Sequence, residues 1–266
     1  MLRKLLSAAA VSSLLVAATL TAARAADMGM PFKAPPPAAP SWTGCYVDGG
    51  SGYGLWNQEH TTTTLFGAAV GTTISETDGG RGWLGRLGAG CDYQVAPRWV
   101  IGVLGDYDFM DLRGSNYPGE VTGAAPFLPL SATEKETGAW YIGGRVGYLL
   151  TPSILTYADA GFTQTRFAAQ SETTNQGVAI GFGFPAQTYN GWFIGGGTET
   201  SLAGFFPGLP NGLFMRSEYR FSTYQKTDLS EISLATGLPD GNVEHTTPYV
   251  QTITTGLVWR FNWAGR

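Results

Sequence analysis

Apolar and polar residues alternate with a period of two in eight segments of this chain, the pattern of strands with one greasy face. In 83–93, Trp83, Leu87, Ala89, Cys91 and Tyr93 share one face and Arg86 and Asp92 the other. In 99–109, Trp99, Ile101, Val103, Tyr107 and Phe109 oppose Asp106 and Asp108. In 140–150, Trp140, Ile142, Val146, Tyr148 and Leu150 oppose Arg145, and in 192–202 Trp192, Ile194 and Leu202 oppose Glu199. In 213–223, Leu213, Met215, Tyr219 and Phe221 oppose Arg216, Glu218 and Arg220; in 253–263, Ile253, Leu257, Trp259, Phe261 and Trp263 oppose Arg260. Two segments are weaker. In 43–57, Val47, Tyr53 and Leu55 oppose Asp48; in 153–167, Ala158, Ala160 and Phe162 oppose Asp159, and Gln164 and Arg166 interrupt the pattern.

The connections alternate as well. Four are long (58–80, 112–136, 168–189 and 225–246) and three are short (95–98, 151–152 and 204–212). Loops of this length are rare in compact soluble domains, whereas transmembrane barrels combine short periplasmic turns with long outer loops. A soluble sandwich would bury the apolar face; a barrel in lipid turns it outward and satisfies every backbone group by closure. Aromatics at strand ends match an interfacial girdle: Trp42, Trp56, Trp83, Trp99, Trp140, Tyr148, Trp192, Trp259 and Trp263. Glycines inside strands, at Gly49-Gly50, Gly143-Gly144 and Gly195-Gly196-Gly197, leave room for long inward side chains. The pattern predicts an all-β fold, an eight-stranded antiparallel up-and-down transmembrane β-barrel over 42–263, with a tail at 264–266.

The N-terminus reads as an address. Arg3 and Lys4 precede an apolar run from Leu5 to Leu20, and Ala23-Arg24-Ala25 fits a cleavage site. Residues 1–25 are therefore expected to be a signal peptide, and 26–41, rich in Pro and Ala, a periplasmic linker. Export, joined to the barrel pattern, places the chain in the outer membrane of a Gram-negative bacterium.

Composition narrows the class further. Gly makes up 38 of 266 residues, and charged residues are only 14%. Aromatic and apolar content is too high for disorder. A formal net charge of −4 leaves no basic surface for nucleic acid. The charges on the polar faces are Asp48, Arg86, Asp92, Asp106, Asp108, Arg145, Asp159, Glu199, Arg216, Glu218, Arg220 and Arg260. The interior of an eight-stranded barrel is only wide enough for side chains, so these are expected to pair as a plug that stiffens the barrel; a narrow ion path is the competing reading. The long loops are acidic (Glu59, Glu76, Asp78, Asp228, Glu231, Asp240, Glu244, with Lys226 among them) and are expected to be solvated.

Cys45 and Cys91 fall on the same face of adjacent strands near their periplasmic ends. In an oxidising compartment a cross-strand disulfide is expected over two free thiols. No metal is expected: the two Cys lack nearby ligands, and His60 and His245, beside Glu59 and Glu244, read as loop histidines. No cofactor is expected either, because no helix follows the glycine clusters to receive a phosphate. A lipid-modifying enzyme would need a His beside a nucleophile, and no such pair stands out.

Six stretches carry a family resemblance: WTGCYVDGGSGYG at 42–54, LGAGCDYQ at 87–94, AWYIGGRVGYLLTP at 139–152, GWFIGGGTET at 191–200, FMRSEYRF at 214–221 and TTGLVWRFNW at 254–263. In this order they resemble the small alphaproteobacterial outer-membrane β-barrel family, the outer-membrane immunogenic or porin-family proteins, whose barrel is similar to the OmpA transmembrane domain. The resemblance implies a structural barrel and surface antigen that supports envelope integrity, with a small diffusion channel as the alternative and a lipid-modifying enzyme as a distant one. The partners it implies are outer-membrane lipids, lipopolysaccharide and the barrel assembly machinery, which reads a terminal aromatic; here Ala264-Gly265-Arg266 follow Trp263. In some members of the family the mature N-terminal amine, here that of Ala26, is attached to peptidoglycan; an unattached, frayed tail is the competing reading.

Overall fold

A computed structural model describes residues 42–70, 75–116, 130–174, 176–206 and 208–261. The expected signal peptide, the linker with Ala26, Trp263 and the tail lie outside these. Twelve strands are described: β1 (Gly44–Leu65), β2 (Ala68–Ala69), β3 (Glu76–Ala96), β4 (Trp99–Asn116), β5 (Leu130–Thr151), β6 (Ile154–Phe167), β7 (Gln170–Thr174), β8 (Ala179–Phe184), β9 (Gln187–Ser201), β10 (Leu213–Tyr224), β11 (Thr227–Ser233) and β12 (Pro239–Phe261).

Eight of them form an antiparallel ring, β1-β3-β4-β5-β6-β9-β10-β12, which β1 closes against β12 from Cys45↔Phe261 to Thr64↔Val243. The short turns at 97–98 and 152–153, the 202–212 connection and both ends of the described barrel share one rim, the periplasmic one. Outward-facing Val47, Leu87, Val103, Ile142, Ile194, Met215, Ile253 and Leu257 are exposed, while Arg86, Asp106, Arg145, Glu199 and Arg220 on the alternate positions are buried. The barrel is therefore inverted relative to a soluble protein, with its apolar band on the outside.

The wall is taller than the membrane. β1 has 22 residues. At about 3.3 Å each and a tilt of roughly 40° that is about 55 Å of height, against an apolar band of about 25 Å. Beyond the aromatic belt β6, β9 and β10 leave the ring, and the short strands that continue them take their places. β7 pairs with β5 (Ala132↔Glu172) and with β8 (Gln170↔Phe184), β8 with β11 (Ile232↔Gly183), and β11 with β12 (Thr227↔Thr246). The outer storey is thus again a closed ring of eight: β1, β3, β4, β5, β7, β8, β11 and β12.

The expectation of long solvated loops at 58–80, 112–136, 168–189 and 225–246 is corrected accordingly, since much of each is strand among the described residues. The physical reason is that a wall facing water needs no greasy outer row, so the apolar alternation stops while the hydrogen-bonded ladder continues.

Glycine makes the narrow interior possible. A Cβ at Gly102 would lie 2.0 Å from Asp92 Oδ1, and one at Gly195 would lie 2.6 Å from Asp159 Oδ1 and 2.8 Å from the Arg220 side chain. Each of these positions gives its side-chain volume to a neighbouring charge.

Candidate functional site

The barrel interior is the site where chemistry collects. Inward parity on all eight strands of the membrane storey delivers five Arg and six carboxylates to one connected lattice. Arg86 bonds Asp106 at 2.8 Å and Glu218 at 2.6 Å. Arg220 holds Asp106 at 2.7 Å, Asp159 at 3.2 Å and Glu218 at 2.5 Å. Nearer the periplasm, Glu199 is the hub: Arg145 reaches it at 2.8 Å, Arg216 at 2.6 Å, and Arg260 through Nη2. Asp92 is shared by Arg145 and Arg260, the latter at 2.7 Å. Asp48 joins the two halves, 3.1 Å from Arg216 and 3.7 Å from Arg86. Tyr157 donates its hydroxyl to Glu218 at 2.5 Å.

Asp108 departs from the expected pairing. It is buried, and neither carboxyl oxygen has a hydrogen-bond partner among the described residues. Its inward neighbours along β4 are Met110 and Leu112, members of an apolar layer, so no base stands on its outer side.

Aromatic rings close both faces of the lattice. Tyr46 lies under the guanidinium groups of Arg145 (4.7 Å), Arg216 (4.7 Å) and Arg260 (5.0 Å), and Trp42 under that of Arg260 at 4.6 Å. Arg220 lies 4.7 Å from the rings of both Tyr141 and Phe193 on the outer side. A guanidinium over a ring gains cation–π attraction while its edge nitrogens serve carboxylates. Towards the periplasm, Trp42, Tyr46, Val100, Leu149, Leu155, Phe214 and Val258 form one buried layer; towards the outside, Trp56, Leu112, Tyr141, Phe167, Tyr189, Phe193 and Val250 belong to another. Residues with essentially no accessible surface cannot line an open aqueous path.

Trp42 and Trp56 were expected in the lipid-facing girdle, and the structure corrects this. They are 1% and 0% exposed, inside the barrel. Trp56 shares even parity with Asp48 on β1, and Trp42, two residues before that strand, keeps the same parity; parity, not position near a strand end, decides the face. Of the expected girdle, Trp83, Trp99, Trp140, Trp192 and Trp259 face outward, with Tyr148 half-buried; Trp83 packs edge-on against Tyr53 at 5.3 Å and Trp99 against Tyr148 at 5.1 Å. Cys45 and Cys91 are directly opposite on β1 and β3 and joined by a disulfide.

Above the outer aromatic layer lies a second set of inward groups, which the sequence reading assigned to solvated loops or did not single out. His60, Asp78, Glu134, Glu136, Glu172, Glu231 and Glu244 are all buried within the outer storey. His60 Nδ1 is 3.3 Å from Glu244 Oε2, and its Nε2 is 3.9 Å from Asp78. Thr165 donates to Glu136 at 2.6 Å, and Asn242 donates to Glu231 at 2.6 Å and to Asp240 at 2.7 Å. The signal that would have found them is the unbroken parity Trp56-Gln58-His60-Thr62 and Glu244-Thr246-Pro248-Val250. The other histidine, His245, faces outward and pairs with Asp228.

With carboxylates in such excess, protons replace the missing bases. Burial pushes the Glu136 carboxyl up to about 8, partly offset by Thr165. Burial also raises Glu134 to about 7 against the opposing pull of His60. Glu172 rises to about 8 through burial and the facing Glu231. Burial alone would lower His60, but the hydrogen bond and charge of Glu244 outweigh it and hold the imidazole above its ordinary value. Among the described residues, no group of three or more His, Cys, Asp or Glu is arranged to hold a metal ion.

Residues 12–261 match the family model described as outer membrane protein beta-barrel domain. Among solved structures, the outer membrane protein OprG from Pseudomonas aeruginosa aligns at 13% identity with a TM-score of 0.51, over 82% of this chain and 97% of that one. The outer membrane protein AlkL aligns at 11% identity and a TM-score of 0.39, over 89% and 100%. The outer membrane protease OmpT from Escherichia coli aligns at 10% and 0.39, over 82% and 97%. No curated protein sequence is significantly similar. At 13% identity the OprG likeness speaks to the fold alone. A closed antiparallel ring with an outward apolar band, matched over nearly all its length by the family model, makes this chain a member of the outer-membrane β-barrel domain family.

Proposed function

We propose that this chain is a structural barrel of the outer membrane, displayed as a surface antigen and supporting the envelope, and that it is not an open pore. One observation carries the reading: the Arg–carboxylate lattice fills the membrane storey between two buried aromatic layers. An ion path would have to break several charge-assisted bonds between buried side chains. The six motif stretches support membership of the small immunogenic, OmpA-like type. A catalytic role is not part of this proposal, because the partners of His60 and His245 are carboxylates and not a nucleophile.

Planar-bilayer recording tests the reading. Refolded protein, verified by its heat-modifiable mobility on gels, is expected to give no stable stepwise conductance. Reproducible open-channel steps from the folded fraction would replace this proposal with the diffusion channel.

A further inference from the structure

Just beyond the aromatic belt, the flank built from β3, β4, β5 and β6 carries a row of bases. Arg81 on β3 stands directly opposite Arg113 on β4, and Arg113 directly opposite Lys135 on β5. Arg166 on β6, opposite Gly138, lies next to this row. Arg81, Arg113 and Arg166 are exposed, and the Lys135 side chain is 35% exposed. Like charges directly opposite each other destabilise a strand pair, so folding supplies no reason to align three in succession.

One acid answers them within the wall. Asp111 bonds Arg113 Nε at 2.8 Å and Lys135 Nζ at 2.8 Å. The side chains of Arg81 and Arg166 have no ion pair among the described residues. On the other flank the outward positions at this level are Asn57 and Glu59 on β1, Thr188 and Asn190 on β9, Thr223 on β10 and Thr247 on β12. The positive excess is therefore confined to one side.

Its height is set by its neighbours. Arg81 is the next outward residue beyond Trp83; Arg113 and Arg166 are the second beyond Phe109 and Phe162; Lys135 lies beyond Trp140. Tryptophan marks the boundary between hydrocarbon and headgroups, so the row sits at the headgroup level of the outer leaflet.

We propose that this flank binds the phosphate groups of a phosphorylated glycolipid of the outer leaflet. Arg81 presents a guanidinium fork suited to phosphate oxygens; Arg113, whose Nε and Nη2 are held by Asp111, Lys135 and Arg166 add positive charge beside it, and exposed Trp83, Phe109 and Trp140 lie against the acyl chains. The proposal rests on the membrane placement of the barrel and not on whether its lumen conducts.

The test uses the full chain in nanodiscs of neutral phospholipid containing a little bisphosphorylated lipid A, with retained lipid counted by native mass spectrometry. The wild type is expected to retain bisphosphorylated lipid A in preference to the same lipid stripped of phosphate. The triple variant Arg81→Gln/Arg113→Gln/Lys135→Gln is expected to lose about tenfold or more of that retention, and Lys226→Gln none. Heat-modifiable mobility identifies folded variants, and the single Arg81→Gln, which breaks no bond within the wall, gives a partial loss if the triple variant fails to fold. Equal retention by wild type and variants overturns the proposal. So does equal retention of the phosphate-free lipid, or equally strong binding of soluble polyphosphate.

Discussion

Glu199 shows how much one side chain can carry in a closed interior. Three guanidinium groups converge on it, and it is fully buried. Replacing a buried ion-pair network by apolar groups can be neutral, but removing one partner leaves the others charged and poorly compensated. Glu199→Gln is therefore expected to destabilise the barrel by about 3–5 kcal/mol, read as a lower urea midpoint for the heat-modifiable form in detergent micelles. The exposed Lys226→Gln should stay within about 0.5 kcal/mol. At this scale, alternation speaks about faces and is silent about partners. Asp108 sits in the same two-residue rhythm as Asp106, yet Asp106 meets two guanidinium groups and Asp108 none. Trp42 and Trp56 teach the complementary lesson: an aromatic near a strand end is ambiguous until its parity is counted from the nearest inward charge, here Asp48.

The strands behave differently below and above the belt. Within lipid the outward rows are predominantly apolar, so β3 and β4 announce themselves through Trp83-Leu87-Tyr93 and Ile101-Val103-Tyr107. Outside lipid that requirement lapses. The outer ends of β1, β5 and β12 read as polar loops although their ladders run on. This is why the membrane storey was legible and the outer storey was not. The outer ends also carry the pH response. Glu134, Glu136 and Glu172 keep their protons up to about 7 to 8 in the fold, while free carboxyls lose them near 4.3. Between those limits the folded form holds more protons than the unfolded one, so stability falls as pH rises. His60, raised by Glu244, acts in the same direction: its share is present below the ordinary imidazole value and is lost as pH rises through its folded one. Amide exchange across 130–136 and 170–174 is expected to speed up between about pH 5 and 8 beyond its intrinsic dependence, and Glu136→Gln should blunt this for β5. Protection that does not change, or that grows with pH, would contradict it.

The described barrel is a stack: an aromatic floor, a salt-bridged middle, an apolar ceiling and an acidic upper room, wrapped by a wall whose first hairpin is tied by Cys45–Cys91. The envelope role proposed for it has a further expectation at Ala26, which lies outside the described residues. Attachment of the mature amine to peptidoglycan would make gel mobility depend on muramidase digestion; free, Edman-sequenceable Ala26 on all molecules would remove that part of the proposal. The two stacked rings also bear on crowding. A main wall whose successive strands are bonded all the way round presents, among the described residues, no long unpaired edge on which a second copy can add its own strands. Densely packed copies are therefore expected to meet through lipid and side chains, and not through a continuous cross-molecular sheet.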